Sequence, residues 1–483
     1  MTSPTGSGAQ RRAGVLLHPT SLPGGTAGGT LGADAFHFVD FLRNAGFSVW
    51  QTLPLGPTHE DRSPYQCLSA HAGNPDLLDP ERLADAEWLH AAPAARADFW
   101  PAAFADFQRD ADDATHQDFR AFAAEQAYWL DDFALFMAIR EEHGGPWWQW
   151  PAPLRDRAPQ ALADAHQRCA EAVDYHRFLQ WQFFRQWAAV KAYANECGIV
   201  LFGDMPIFVA HDSSEVWAHR ELFALDEEGQ PETVAGVPPD YFSETGQYWG
   251  NPHYRWDRIA ADGYRWWIDR LRTQLTLFDW VRIDHFRGFE AFWEIPAGEY
   301  ATEGRWVPGP GADFFHAVEA ELGQLPLVAE DLGVITPEVN ALRDQFDLPG
   351  MKILQFGFDS DADNPYLPHN HRRRAVVYTG THDNNTTVGW WQEDCPDWVR
   401  ERVRDYLGHP GEPMPWPLIR AALASVAQIA VVPMQDLLAL GADSRMNEPA
   451  TVEGNWRWRF RWVDIPDGLG DRLRHWNALY GRA

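Results

Sequence analysis

Hydrophobic residues in this chain form short runs that end abruptly, most of them at polar residues. Eight runs of four to seven residues have the length of strands buried on both faces of a parallel sheet. They are Gly14–Leu17, Phe47–Leu53, Ile199–Gly203, Trp280–Ile283, Leu325–Ala329, Lys352–Phe356, Ala375–Tyr378 and Ala427–Val432. Helical periodicity lies between most of them, at Ala33–Ala45, Tyr264–Leu277, Asp313–Leu322, Thr336–Phe346 and Leu418–Val426. This alternation predicts an α/β fold, a (β/α)8 TIM barrel, whose chemistry lies at the carboxyl ends of the strands.

A plain barrel needs about 250 residues, so a chain of 483 residues must carry large insertions. Residues 81–195 show helical periodicity at Phe119–Glu141 and Tyr175–Ala194, which predicts an inserted, mainly helical subdomain. Residues 205–256 are rich in Gly, Pro and aromatic residues and show little helical period, which predicts an inserted lid or substrate loop. The catalytic barrel would then comprise residues 1–80 and 196–483.

Composition and charge narrow the function classes. Forty Lys and Arg against 69 Asp and Glu give a net charge of −29, which argues against binding to nucleic acid or to an anionic membrane. The four cysteines show no paired spacing, which disfavours a disulfide framework or a zinc site. Signal-like and membrane-spanning runs are missing, so we expect a cytoplasmic protein. Tryptophan is abundant, with 25 residues, and its flat ring serves both cores and sugar binding.

A cation and a carboxylate end the fourth hydrophobic run, in Arg282-Ile-Asp-His-Phe-Arg-Gly288. Residues two apart on a strand face the same side, so Arg282 and Asp284 would enter one space. The cation would lower the pKa of Asp284 and keep it ionised, as a nucleophile must be. A structural ion pair at a strand end would show the same spacing.

Two further carboxylates follow other runs. Glu330 comes directly after apolar residues, so partial burial would raise its pKa toward that of a proton donor; the alternative is a helix cap at Asp331 with Glu330 in solvent. Asp383 follows His382 in Tyr378–Asn385, a polar cluster suited to binding hydroxyl groups. A plain polar turn, or less readily a metal site, would also fit that cluster.

The combination of these residues is more specific than any one of them. A barrel would bring Asp284, Glu330 and Asp383 to one mouth, joined by Tyr65 and Asp204 after two other runs. Two carboxylates flanking an anomeric carbon are the requirement for glycosyl transfer. Phosphate-loop and dinucleotide fingerprints are missing. From the residues alone, we predict a barrel enzyme of glycosyl chemistry.

Taken together, these motifs resemble those of the 4-α-glucanotransferases called amylomaltases or disproportionating enzymes, glycoside hydrolase family 77. The resemblance covers nearly the whole chain, and some stretches are specific to this family within its clan. The motifs that carry it are His18-Pro-Thr-Ser-Leu-Pro-Gly24, Ser63-Pro-Tyr-Gln66, Gly73-Asn-Pro75, Gly203-Asp-Met-Pro-Ile-Phe-Val209, Gly236-Val-Pro-Pro-Asp-Tyr-Phe-Ser243, Trp249-Gly-Asn-Pro252, Arg282-Ile-Asp-His-Phe-Arg-Gly288, Ala329-Glu-Asp-Leu-Gly333 and Thr381-His-Asp-Asn384.

The resemblance implies a role for each site residue. Asp284 would be the nucleophile that forms a covalent glucosyl-enzyme, Glu330 the acid/base, and Asp383 the ligand of the 2- and 3-hydroxyl groups. The implied substrates are α-1,4-glucans and maltooligosaccharides, with no cofactor, no metal and no obligate protein partner. The implied substrate-binding residues are Tyr65, Asp204, Arg282, His382, Tyr241, Phe242, Trp249 and Asn447.

Three other functions remain open at this point. A retaining α-glucan hydrolase of the same clan would use the same carboxylates, and a glucan-binding barrel without catalysis would use the aromatic surface. A metal-dependent hydrolase is a more distant alternative. The chain also departs from the family pattern at Gly56–Ser63, where His59 and Glu60 stand in place of an expected glycine-containing turn.

Overall fold

The computed structural model describes residues 10–25, 28–92, 98–239, 244–451 and 453–483. Within these ranges the strands form two separate sheets. The strands are β1 (Arg12–Leu16), β2 (Val49–Gln51), β3 (Val200–Pro206), β4 (Thr233–Val237), β5 (Gln247–Pro252), β6 (Trp280–Asp284), β7 (Ala291–Pro296), β8 (Arg305–Pro308), β9 (Leu327–Ala329), β10 (Gly350–Ile353), β11 (Ala375–Tyr378) and β12 (Ile429–Pro433).

The larger sheet is the predicted barrel. In the described chain it has eight parallel strands in the order β10-β11-β12-β1-β2-β3-β6-β9. The two end strands of this order, β9 and β10, lie close together. The Ala329 N–H at the end of β9 donates a hydrogen bond of 2.9 Å to the carbonyl of Pro349, directly before β10. The strands are buried on both faces, as expected when helices surround a parallel barrel. The prediction of a (β/α)8 barrel is therefore confirmed.

Each of the eight hydrophobic runs overlaps one barrel strand, but the run Lys352–Phe356 is only partly extended. Strand β10 ends at Ile353, and Leu354–Phe356 form a 3-10 turn closed by the Gly357 N–H on the Leu354 carbonyl. A short apolar run buried on all sides does not distinguish a strand from a helical turn, since both hide every side chain.

Helices lie in the connections between the barrel strands, except that in the described chain the connection from β10 to β11 has only 3-10 turns. In the described residues they are α1 (Ala33–Asn44), α2 (Phe99–Asp110), α3 (Asp113–Glu125), α4 (Ala127–His143), α5 (Ala152–Arg155), α6 (Pro159–Arg168), α7 (Ala170–Glu196), α8 (Ser214–Ala218), α9 (Trp256–Ala261), α10 (Arg265–Leu277), α11 (Gly311–Leu322), α12 (Pro337–Gln345), α13 (Thr387–Gly389), α14 (Asp397–Tyr406), α15 (Trp416–Ala424), α16 (Met434–Leu437) and α17 (Leu469–Leu479). A π-helical turn, Trp390–Asp394, follows α13.

Helices α2–α7 all lie between β2 and β3, in the stretch where the periodicity predicted helices. The predicted segment Phe119–Glu141 is interrupted at Gln126, where α3 ends and α4 begins. The 27-residue helix α7 packs against α4 and also against strand β3 of the barrel. The division of the chain into a subdomain at 81–195 and a barrel at 1–80 and 196–483 stays a prediction.

The smaller sheet was missed by the sequence analysis. It is antiparallel, has the strand order β5-β4-β7-β8, and draws β4 and β5 from the predicted 205–256 region. Its other two strands follow β6, where no insertion was expected. The strands carry few alternating polar residues, and β4 contains Gly236, where a Cβ atom would lie 2.2 Å from the Gln247 carbonyl oxygen. This sheet stands beside the carboxyl end of β6, because β7 packs against the turn Phe286–Phe289 that follows β6.

The tryptophans divide between the core and partly exposed positions. Trp147 and Trp150 are almost fully buried, whereas Trp148 stacks on His211 with ring centroids 3.8 Å apart. The described cysteines, Cys67, Cys169, Cys197 and Cys395, are all free thiols. Among the described helices, none combines the length and the apolar character needed to cross a membrane.

Candidate active site

Strand β6 brings Arg282 and Asp284 into the barrel mouth on the same side, as the strand period predicted. Arg282 is only 4% exposed. Its Nη1 donates to both carboxylate oxygens of Asp204, at 2.8 and 2.7 Å, and its Nη2 lies 2.9 Å from Asp284 Oδ1. Asp204 reaches this position because β3 pairs with β6 in a register that sets Asp204 beside Arg282. One guanidinium therefore orients two carboxylates at neighbouring strand ends.

Tyr65 joins the same group from the loop after β2. Its hydroxyl donates to Asp204 Oδ2 at 2.7 Å, and its ring stacks on His382 with centroids 5.1 Å apart and planes 13° apart. The Trp456 ring lies against both of these rings, with its centroid 5.9 Å from the centroid of each. The sequence analysis did not assign Trp456 to the site. The one hint in the sequence is that Trp456 lies in a stretch near the end of the chain that is rich in Trp and Arg, residues 455–462.

Glu330 follows β9 and is almost fully buried. Its Oε2 accepts a hydrogen bond of 2.8 Å from the His285 N–H, and its Oε1 accepts one of 3.2 Å from the Leu332 N–H. His285 adopts a left-handed backbone conformation, with φ of 51°, directly after β6. That turn aims the His285 N–H at Glu330, which makes His285 a site residue that the sequence analysis did not single out.

Burial separates the pKa values of the two inner carboxyl groups. It raises the pKa of Glu330 to about 8, opposed by Arg282 and assisted by the charges of Asp284 and Asp331. It also raises the pKa of Asp284 to about 6, although Arg282 opposes the change and Asp204 and Asp383 assist it. The sequence-based expectation that Arg282 sets a lowered pKa for Asp284 is therefore wrong in its net direction, because desolvation outweighs the ion pair.

Asp383 lies at the more exposed rim of the mouth. Its Oδ2 is 3.3 Å from His382 Nε2, and its Oδ1 accepts a hydrogen bond of 2.7 Å from Asn447 Nδ2. Arg445 donates to the Asp383 main-chain carbonyl at 3.1 Å. Burial lowers the pKa of His382, against the effect of Asp383, so the imidazole is neutral near pH 7. The segment around Asn447, distant in sequence, thus holds Asp383 in position.

Trp249 reaches the site from β5 of the smaller sheet. Its ring meets the His285 imidazole edge-on, with centroids 4.9 Å apart, and its Nε1 donates to Gln247 Oε1 at 3.0 Å. Gln66, next to Tyr65, donates to Asn251 at 3.0 Å and ties this strand to the loop after β2. The other two aromatic residues expected here, Tyr241 and Phe242, lie outside the described residues.

Asp331 has a structural role that differs from the helix cap considered above. Its carboxylate pairs with Arg343, and Oδ1 accepts a hydrogen bond of 2.6 Å from the Met351 N–H. The next helix, α12, instead has Thr336 at its N-cap position. Asp331 therefore links β9, α12 and β10 where the barrel closes. In the described part of the chain, no group of three or more His, Cys, Asp or Glu side chains is arranged to hold a metal ion.

The fold and this mouth define a class of protein: a (β/α)8-barrel enzyme of the glycoside hydrolase type, with acidic side chains ending β6 and following β9 and β11. Comparison with known proteins gives the family. The model of the 4-alpha-glucanotransferases, glycoside hydrolase family 77, matches residues 17–464, and the chain belongs to this family.

Known proteins of this family match the chain along nearly its whole length. A 4-alpha-glucanotransferase of Thermus thermophilus is 52% identical over 96% of this chain and 97% of its own. A chloroplastic/amyloplastic 4-alpha-glucanotransferase of Solanum tuberosum is 43% identical over 98% of this chain and 87% of its own. The solved structure of an amylomaltase from Streptococcus agalactiae in complex with acarbose is 38% identical, with a TM-score of 0.94 and coverage of 98% and 100%.

Proposed function

We propose that this enzyme moves α-1,4-glucan segments from a donor maltooligosaccharide to an acceptor glucan or glucose through a covalent glucosyl-enzyme on Asp284, with Glu330 as acid/base. The observation that carries the proposal is the geometry of one mouth, where Arg282 lies 2.9 Å from Asp284 and two N–H groups bind the buried Glu330. A pKa of about 6 leaves Asp284 mainly ionised at pH 7, and a pKa of about 8 leaves Glu330 mainly protonated. These are the states that a nucleophile and a proton donor need.

In the first step, a carboxylate oxygen of Asp284 attacks the anomeric carbon of the donor. The bond from that carbon to the glycosidic oxygen breaks, and the oxygen takes the proton of Glu330, so the reducing-end part of the donor leaves with a free 4-hydroxyl. Glu330 becomes a carboxylate, which the N–H groups of His285 and Leu332 stabilise by hydrogen bonds.

In the second step, the 4-hydroxyl of an acceptor sugar attacks the same anomeric carbon. Glu330 accepts the hydroxyl proton, and the bond to Asp284 breaks, which regenerates both carboxyl groups in their starting states. Each step inverts the anomeric carbon, so the product keeps the α linkage. Arg282, whose Nη2 lies 2.9 Å from Asp284 Oδ1, would limit the rotation of this side chain.

The outer residues of the mouth would hold the sugar that reacts. Asp383, fixed by Asn447 and next to His382, would accept hydrogen bonds from the 2- and 3-hydroxyl groups, which strengthen as positive charge develops on the ring. The stacked rings of Tyr65 and His382 offer a flat surface for a pyranose.

Transfer rather than hydrolysis requires that an acceptor reaches the intermediate before water does. Trp249 beside His285 covers part of the mouth with an apolar ring. Residues 205–256 would form the region that excludes water. The first two of these residues belong to β3, and β4 and β5 form part of the remainder.

The test is purified enzyme with maltotriose, with products separated by chain length and total reducing ends followed in parallel. A ladder of longer maltooligosaccharides plus glucose, at constant reducing ends, is expected. Rising reducing ends would instead mean a hydrolase, and unchanged maltotriose a glucan-binding barrel. The variants D284N and E330Q should each lose at least about 1,000-fold in rate, since each removes a reacting group. The matched control is E321Q, the same chemical change on the exposed face of α11.

The two roles can be told apart with α-glucosyl fluoride and azide. In D284G, azide can occupy the space of the missing carboxylate and attack directly, which gives the β-azide by one inversion. In E330A, the glucosyl-enzyme still forms, and azide then gives the α-azide by two inversions. The reverse pattern would contradict the assignment of nucleophile and acid/base.

A further inference from the structure

A cavity of about 190 Å³ lies between helices α4, α8 and α10, outside the barrel mouth. The described residues that line it do not include Asp284, Glu330 or Asp383. Since one water molecule needs only about 10–15 Å³ of such space, the cavity has room for an organic ligand. Its walls come from the inserted helices on one side and from the segments flanking β4 and β5 on the other.

One wall is aromatic. Tyr128 is 42% exposed, yet its ring is held in place by a hydrogen bond of 2.7 Å between its hydroxyl and Thr273 and by edge contact with His71 at 5.7 Å. Trp266 also lines the cavity and is partly exposed. Fixed aromatic faces with solvent access bind the C–H face of a sugar ring at little entropic cost.

The polar lining offers both donors and acceptors. Five carboxylates line the cavity, and three of them have an arginine guanidinium within 4 Å. Glu221 likewise lies 3.9 Å from His219. Such paired groups suit hydroxyls, which donate and accept at once, better than they suit a cation. The three pairs are Asp132 with Arg157, Asp262 with Arg265, and Asp269 with Arg272.

Two buried polar side chains at this cavity are incompletely hydrogen-bonded. Ser214 and Glu215 are less than 5% exposed and line the cavity, and among the described residues neither Ser214 Oγ nor Glu215 Oε2 makes a hydrogen bond of good geometry, although the two side chains interact with each other. The other oxygen of Glu215 accepts a hydrogen bond of 2.7 Å from Ser69. A buried polar group without a good hydrogen bond destabilises the fold, and hydroxyl groups of a ligand would remove that cost.

We propose that this cavity is a second binding site for a glucose unit of an α-glucan chain, separate from the catalytic mouth. The identity of the sugar rests on the proposed function; the polyol character of the ligand rests on the cavity itself. A chain bound at both places would dissociate more slowly than one bound at the mouth alone, because the second contact is made at high effective concentration.

The experiment measures binding to amylose by mobility in native gels, in the E330Q background so that no chains are rearranged. Replacing Tyr128 by Ala removes the aromatic wall, and A218W fills the cavity from the end of α8; each should raise the dissociation constant for amylose about tenfold. Y128F keeps the ring and should bind as the parent does. The control is Y300A, which removes a tyrosine that is 81% exposed elsewhere.

The outcomes separate this inference from the proposed function. Unchanged amylose binding in both Y128A and A218W, with unfolding temperatures like that of Y300A, would overturn the second site. Failure of the unmodified enzyme to rearrange maltotriose would overturn the proposed function instead, and a cavity that still bound amylose would remain. If Y128A unfolds early through the lost Thr273 contact, A218W decides the question alone.

Discussion

Replacing Arg282 by Met tests whether electrostatics at the strand ends sets the working pH of this enzyme. Met matches the length of the arginine stem and removes the cation that contacts Asp204 and Asp284 at 2.7–2.9 Å. The loss of an opposite charge at such a distance raises the pKa of a carboxyl group by about 1–3 units. Because Arg282 also lowers the pKa of Glu330, both pKa values should rise.

The size of the effect follows from the starting values. With its pKa at about 6, Asp284 is ionised in roughly ten of eleven molecules at pH 7. A rise of about two units would leave only one molecule in eleven ionised, so kcat/KM at pH 7 should fall about tenfold from titration alone. The buried Asp204 also loses its partner, which should cost about 3–5 kcal/mol of stability.

The assay is kcat/KM for maltotriose between pH 4.5 and 9.5, with thermal unfolding measured on the same samples. The acid limb of R282M should move upward by at least one unit, so that much of the lost rate returns near pH 9. R282K keeps the charge and should keep the acid limb, while losing the two-pronged contact to Asp204. R343M removes an equally buried arginine from Asp331 and should lower stability without moving the limb. An acid limb of R282M that stayed near 6 would refute the electrostatic reasoning.

The other predictions concern the same mouth. The unmodified enzyme should show a bell-shaped pH–rate profile with limbs near 6 and 8, measured as initial transfer rate; a flat profile from pH 5 to 9 would contradict the assignment of Asp284 and Glu330. Because the folded-state pKa of Glu330 lies above its unfolded value, wild-type stability falls as pH rises toward 8, and E330Q should therefore unfold at a higher temperature than wild type at pH 9 but not at pH 4. N447A removes the 2.7 Å hydrogen bond to Asp383 and should lower kcat about tenfold at unchanged unfolding temperature; an unchanged kcat would show that Asp383 needs no such support. W249A should release more reducing ends per transfer event, checked by reducing-sugar assay against the product ladder, whereas an unchanged ratio would mean that this ring does not limit water.

The barrel could be read from the chain because its signal is local. Each barrel strand buries both faces, so four to seven consecutive apolar residues are enough to mark it, and each intervening helix repeats its apolar face every 3.6 residues. All eight runs overlap a strand of the barrel. The smaller sheet has no such signal: β4, β5, β7 and β8 contain Gly or Pro and expose part of one face.

The same distinction applies to the candidate site. That Arg282 and Asp284 share a side follows from the strand period, which the sequence contains. That Arg282 also binds Asp204, and that Asn447 reaches Asp383, depends on which strands and loops become neighbours over gaps of 78 and 64 residues. His285 and Trp456 escaped notice because a backbone N–H and a ring in a Trp-rich tail have no distinctive pattern.

The sequence alone determined the order of the barrel strands and their helices, and it identified the three candidate catalytic carboxylates, Asp284, Glu330 and Asp383. What only the tertiary structure decided was their state. Burial raises the pKa of Asp284 and Arg282 lowers it. The net direction of the shift depends on how completely the neighbouring elements exclude water. Burial is a property of the whole assembled mouth, so no local pattern of residues contains it.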